Sequence, residues 1–89
     1  MIVEFDRSFP KSLEKVNDSK ILKRIIKIII EIEKAPSLKE INNCKKLTGY
    51  KNYFRIRIGD YRLGIELINQ QTIRFILLAH RKDIYKYFP

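Results

Sequence analysis

The sequence predicts an α+β domain: two N-terminal helices packed on one face of a curved, mainly antiparallel four-stranded sheet, in the order β-α-α-β-β-β. Three observations carry this. Apolar residues recur at helical spacing as far as Lys34, and the period switches to two from Tyr53 onward. Between two of the alternating runs stands Gly59-Asp60, a two-residue hairpin turn with glycine at its first central position, the type II′ signature. At 89 residues, 45% hydrophobic and 33% charged, the chain reads as one folded domain over residues 1–89.

The elements follow in order. Ile2 to Phe5 reads as a short strand, with Asp6 and Ser8 as candidate helix caps after it. Phe9, Leu13 and Val16 recur at helical spacing, so a first helix is expected from Ser8 to about Asn17. Asp18 and Ser19 then break and recap the chain. Lys20 to Lys34 is the second helix: Lys20, Lys23, Arg24, Lys27, Glu31 and Lys34 fall within roughly a 100° arc. Leu22, Ile25, Ile26, Ile29 and Ile32 fill the opposite side, and Ile21, Ile28 and Ile30 flank it. Its β-branched residues weaken helix propensity, but the length and the polar stripe outvote them. So wide an apolar face needs contact on more than one side, from the first helix, the sheet or a partner chain.

Pro36 ends this helix, and Ser37 to Leu47 reads as a connector with a turn of helix around Leu38 and Ile41. Phe54, Ile56 and Ile58 then alternate with Tyr53, Arg55 and Arg57; Leu63, Ile65 and Leu67 carry the next strand. Asn69 to Gln71 turns the chain into a last long strand, Ile73 to Ala79. His80 to Pro89 leaves the sheet as a short helical turn or an extended tail.

The net charge of +9 is large for so short a chain and opposes compaction unless a polyanion or an acidic protein offsets it. Cys44 is the only cysteine, which excludes an internal disulfide and a Cys-rich metal site and marks it as a small apolar filler. Glu4, Asp6 and Arg7 interrupt the N-terminus as a signal peptide would not allow. Lys23, Arg24, Lys27 and Glu31 likewise break the most apolar window, Ile21 to Ile32, so no membrane span and a cytoplasmic location are expected.

The hairpin register makes the charge specific. A two-residue turn pairs Ile58 with Tyr61, Arg57 with Arg62 and Arg55 with Gly64. Ile58, Ile56 and Phe54 then share a face with Tyr61, Leu63 and Ile65, while Arg55, Arg57 and Arg62 share the other. Arg57 directly opposite Arg62 is destabilising by several tenths of a kcal/mol or more, an arrangement that an anion would complete. A three-residue turn at Asn69 to Gln71 places Ile73, Phe75, Leu77 and Ala79 on the core face. Arg74, Ile76, Leu78 and His80 then join the arginines. The expected groove carries Arg55, Arg57, Arg62, His80, Arg81 and Tyr85, with Glu66 and Asp83 only at its margins.

Three strings resemble the RelE/ParE toxin superfamily: Lys46-Leu47-Thr48-Gly49, Tyr53 through Arg62 ("YFRIRIGDYR"), and His80 through Tyr85 ("HRKDIY"). The likeness runs over essentially the whole chain and implies a RelE-like fold. In the RelE branch it implies a toxin that cleaves mRNA in the ribosomal A site, through attack of a ribose 2′-OH on the adjacent phosphate. The resemblance implies Arg62, Arg81 and Tyr85 as catalytic candidates and Arg55 and Arg57 as RNA-binding ones; His80, a departure from the family pattern, joins the catalytic candidates from its place in the groove, and Arg74 and Lys82 join the RNA-binding ones. Arg62 and Arg81 would stabilise charge developing on the phosphorane. His80 and Tyr85 would transfer protons or stack on a base. Arginine does not serve as a base at ordinary pH, so an incomplete acid/base set implies help from the ribosome or the substrate. No metal and no cofactor are implied. The implied partners are a cognate antitoxin, acidic and partly helical, the ribosome and its mRNA. The ParE branch implies a different function, inhibition of DNA gyrase by binding alone; a non-toxic interaction module is the third reading.

Overall fold

The computed structural model describes residues 1–89. Its elements are β1 (Ile2–Phe5), α1 (Ser8–Leu13), α2 (Ser19–Lys34), a 3₁₀ turn (Leu38–Glu40), β2 (Cys44–Lys46), β3 (Tyr53–Ile58), β4 (Tyr61–Asn69), β5 (Thr72–His80) and α3 (Ile84–Tyr87). The sheet runs β1-β5-β4-β3-β2, with β1 parallel to β5 and every other pair antiparallel.

The expected four strands are therefore five. Asn43, at a left-handed φ of 61°, turns the connector back so that Cys44, Lys45 and Lys46 pair with Ile56, Arg55 and Phe54. A three-residue strand is too short to display a period, and its two lysines suit an exposed sheet edge. The helical turn expected near Leu38 is the 3₁₀ turn. The tail, left open between helix and extended chain, contains α3.

Asp18 caps α2, its carboxylate accepting from the Lys20 and Ile21 N–H groups. The helix buries Ile21, Ile25 and Ile32 but leaves Ile29 only half-buried, short of the burial its central place on the apolar face suggests. Ile26 and Ile30 remain 60% and 47% exposed, so one flank of the apolar face has no cover within the chain. α1 stops at Leu13 rather than near Asn17. Beyond it, Glu14, Lys15 and Val16 donate to carbonyls three residues back, and the tightened turn still delivers Val16 to the core.

Phe9, Val16, Ile21, Ile25 and Ile32 meet Ile56, Ile58, Leu63, Ile65, Ile73, Phe75 and Leu78 in the main core, on one face of the sheet. Each fully buried side chain of this kind contributes about 1.5–3 kcal/mol. Cys44 packs at its margin, and burial pushes its thiol up to about 11, as befits a neutral filler. On the opposite face a smaller cluster joins Leu47 and Leu77 to Ile84 and Phe88 of the tail.

One irregularity decides which side chains reach which face. Gly64 pairs with Leu77 but Ile65 with Phe75, so Ile76 is an extra residue in β5, a β-bulge. From the bulge to the strand end the alternation is inverted. Leu78 lies opposite Leu63 in the main core, and His80 lies opposite Tyr61, whereas Leu77 and Ala79 pack with the smaller cluster. The expected faces of Leu77, Leu78, Ala79 and His80 are thus reversed, while Ile73, Phe75 and Arg74 keep theirs. A second shift at Ile68 shortens the following turn to Gln70-Gln71. Where β1 ends, α1 takes over the edge of β5. Ser12 Oγ accepts from the Leu78 N–H at 2.9 Å, and the Ser8 hydroxyl reaches the Ile76 carbonyl at 2.6 Å.

Candidate nucleic-acid interface

The face opposite the helices is organised in cross-strand rows. Arg57 lies opposite Arg62, which lies opposite Ala79; the next row is Lys45, Arg55, Gly64 and Leu77. A third row, toward the far end, places Tyr53, Glu66, Arg74 and Glu4 side by side. The register read from the hairpin turn holds throughout β3 and β4, with Gly59 at a φ of +58° supplying the turn.

Arg62 is the centre of the first row. Its Nη1 donates to the Gly59 and Tyr61 carbonyls, both at 2.9 Å, which pins the guanidinium against the hairpin and leaves the rest of the fork without a protein partner. Burial, and then the charges of Arg55, Arg57 and Arg81, push the Arg62 guanidinium below its ordinary range, and Tyr85 offsets this in part. Those perturbers are its neighbours. Arg81 is tied to the same hairpin by its own N–H, which donates to the Asp60 carbonyl at 2.8 Å. α3 carries Tyr85 over the second row, its ring centre 6.0 Å from the Arg55 guanidinium carbon.

None of Arg55, Arg57, Arg62 and Arg81 has a carboxylate partner; the ion pairs of the chain are Arg74 with Glu4 and Glu66, and Lys86 with Asp83. Clustered guanidinium groups without counter-charges form a receptor for phosphate oxygens, which accept charge-assisted, often bidentate hydrogen bonds.

Of the residues singled out from the sequence, Arg55, Arg57, Arg62, Arg81 and Tyr85 come together here. Arg74 does not: it shares the face but pairs with Glu66, four positions beyond Arg62 on β4, and lies 3.2 Å from Glu4. Lys82 is exposed on the turn after β5. His80 stands on the helix side, its ring edge-on to Tyr61 at 5.6 Å, beside a cavity of about 470 Å³ that Ser8, Lys11 and Tyr87 also line. Its Nδ1 accepts from the Lys82 N–H at 3.2 Å, so its visible role is to shape the turn that presents Arg81. Sequence reasoning missed Lys45, which the unrecognised β2 sets opposite Arg55, and Gly64, whose missing side chain leaves room for the Phe88 ring. The Asn42-Asn43 pair, a turn signal, was the available clue to β2.

The profile of a family described as ParE toxin of type II toxin-antitoxin system, parDE, matches residues 3–85. Toxin RelE3 of Methanocaldococcus jannaschii is 48% identical over 90 residues, spanning 100% of both chains. A chain of the crystal structure of the RelB-RelE antitoxin-toxin complex from Methanococcus jannaschii is 46% identical and superposes with a TM-score of 0.81, over 97% of this chain and 99% of that one. The archaeal RelE-RelB complex from Pyrococcus horikoshii OT3 shares the fold, at 24% identity and a TM-score of 0.70 over 90% and 93% of the two chains. The fold is that of small RelE-like toxins. The chain belongs to the ParE toxin family of type II toxin-antitoxin systems.

Proposed function

We propose that this toxin is a ribosome-dependent endonuclease that inhibits translation by cutting mRNA in the A site. The observation that carries the reading is the Arg57–Arg62 row, flanked by Arg55 and Arg81 with no counter-carboxylate and overhung by Tyr85. The 48% identity to a RelE toxin supports the same choice within the family.

In the proposed reaction the ribose 2′-oxygen attacks the adjacent phosphorus and the bond to the 5′-oxygen breaks. The products end in a 2′,3′-cyclic phosphate and a 5′-hydroxyl, with the proton passing from the 2′-OH to the leaving oxygen. Arg62 and Arg81 stabilise the extra charge on the phosphorane, and pinning by the hairpin carbonyls presets the Arg62 fork. Arg55, Arg57 and Lys45 hold the flanking backbone, while Lys82 at the edge adds attraction at longer range. Tyr85, exposed beside Arg55, stacks on a base or relays a proton. His80 faces away from these groups and is assigned no proton transfer; the missing base comes from ribosome or substrate.

A cognate antitoxin completes the system. The M. jannaschii and P. horikoshii relatives are seen with RelB partners. Here a charge of +9 favours an acidic partner, and exposed Ile26 and Ile30 on α2 give it apolar surface to dock on. High salt should weaken the complex without abolishing it, because apolar contact is not screened.

The deciding experiment compares bulk translation with DNA supercoiling after induction of the toxin, together with end-mapping of mRNA cut by purified protein and ribosomes. Cleavage leaving cyclic-phosphate ends is the expected result. Intact mRNA with inhibited gyrase would overturn it in favour of gyrase binding.

A further inference from the structure

Gly64 occupies the middle of the second row, between Arg55 on one side and Leu77 on the other, and it is buried. Its backbone lies in no left-handed region, so conformation does not require glycine there. Space does. A Cβ built on Gly64 would lie 2.7, 2.8 and 2.9 Å from three ring carbons of Phe88. The missing side chain is a slot in the sheet, and the Phe88 ring fills it, edge-on to Tyr53 at 5.5 Å.

Phe88 and Ile84, 2% and 0% exposed, flank the single exposed turn that carries Tyr85. The Phe88 N–H closes that turn onto the Ile84 carbonyl at 2.9 Å. We propose that Gly64 and Phe88 form a latch that docks the C-terminal helix and so holds Tyr85 beside Arg55 in the arginine cluster. Gly64 is then a positioning residue, acting through Phe88. The functional half of this rests on the role given to Tyr85 above; the docking half does not. The main core lies on the other face, so the latch can open while the domain stays folded.

The test is Gly64→Ala. On backbone grounds alone, alanine in a strand is neutral or favourable, so any disruption reports the collision with Phe88. Two readouts separate docking from chemistry. In the wild type, Arg55→Ala should shift the Tyr85 ring resonances and the Phe88 amide should exchange slowly. In Gly64→Ala the amide should exchange fast, and Arg55→Ala should no longer move Tyr85. Phe88→Ala, which empties the slot, should behave likewise. In cleavage assays Gly64→Ala should lower kcat on the order of 10- to 100-fold, the scale of a displaced catalytic group. In a Tyr85→Ala background it should add almost nothing, a non-additivity that general destabilisation would not produce. A docked tail in Gly64→Ala overturns the latch. A released tail with unchanged kcat, or full additivity with Tyr85→Ala, overturns the positioning role. Should the wild type cut no RNA, the nuclease reading falls, while the exchange and resonance data still decide the latch.

Discussion

The two faces of the sheet are built to opposite rules. The helix-side face gathers a core of thirteen buried apolar residues and pairs its strands Ile56 to Leu63 to Leu78. The opposite face has a buried cluster of four, and its hairpin end sets Arg57 against Arg62 with Arg55 and Arg81 close by. One face stabilises the fold, so the other tolerates like charges that cost it several tenths of a kcal/mol or more. The proposed RNA site is thus a modest instability carried on a scaffold that does not depend on it.

The comparison breaks most visibly in the core. Leu63→Ala should cost about 2–5 kcal/mol, read as a lower denaturant midpoint, with cleavage per folded molecule unchanged. A loss under about 1 kcal/mol would show that the helix side is not the main support. Arg62→Ala should do the reverse. Cleavage should fall by at least about 10²-fold while Tm holds or rises slightly, and Arg62→Lys should rescue only in part for want of the planar fork. An alanine variant cutting at the wild-type rate would remove Arg62 from the chemistry.

Smaller effects sharpen the boundary between the faces. Ser12→Ala leaves the Leu78 N–H without its partner beside the bulge, and should cost about 1–3 kcal/mol with faster exchange of that amide. Unchanged exchange would mean that α1 does not secure the bulge. His80→Ala should change cleavage by no more than about threefold, far from the 10²–10⁴ expected of a general acid or base. A hundredfold loss would return His80 to the site despite its face.

The hairpin turn and its flanking alternation were enough to place Arg55, Arg57 and Arg62 together, because a two-residue turn leaves one register. The same reasoning failed at His80. From Phe75 to Ala79 the strand is continuously apolar, so no alternation fixes the face of each residue, and nothing in the string shows that Ile76 will be skipped. Only the neighbours explain the bulge: α1 replaces β1 along β5 there and offers serine hydroxyls where a strand would offer a backbone.

Local chemistry by itself determined the α+β class, the capped second helix, the hairpin and the arginine row, since each depends on residues a few positions apart. Tertiary structure alone decided the fifth strand, the inversion of β5 and how the tail docks. Three residues carry no period, a bulge is chosen by what packs beside it, and the tail docks because Gly64 leaves a gap that Phe88, 24 positions later in the sequence, can fill.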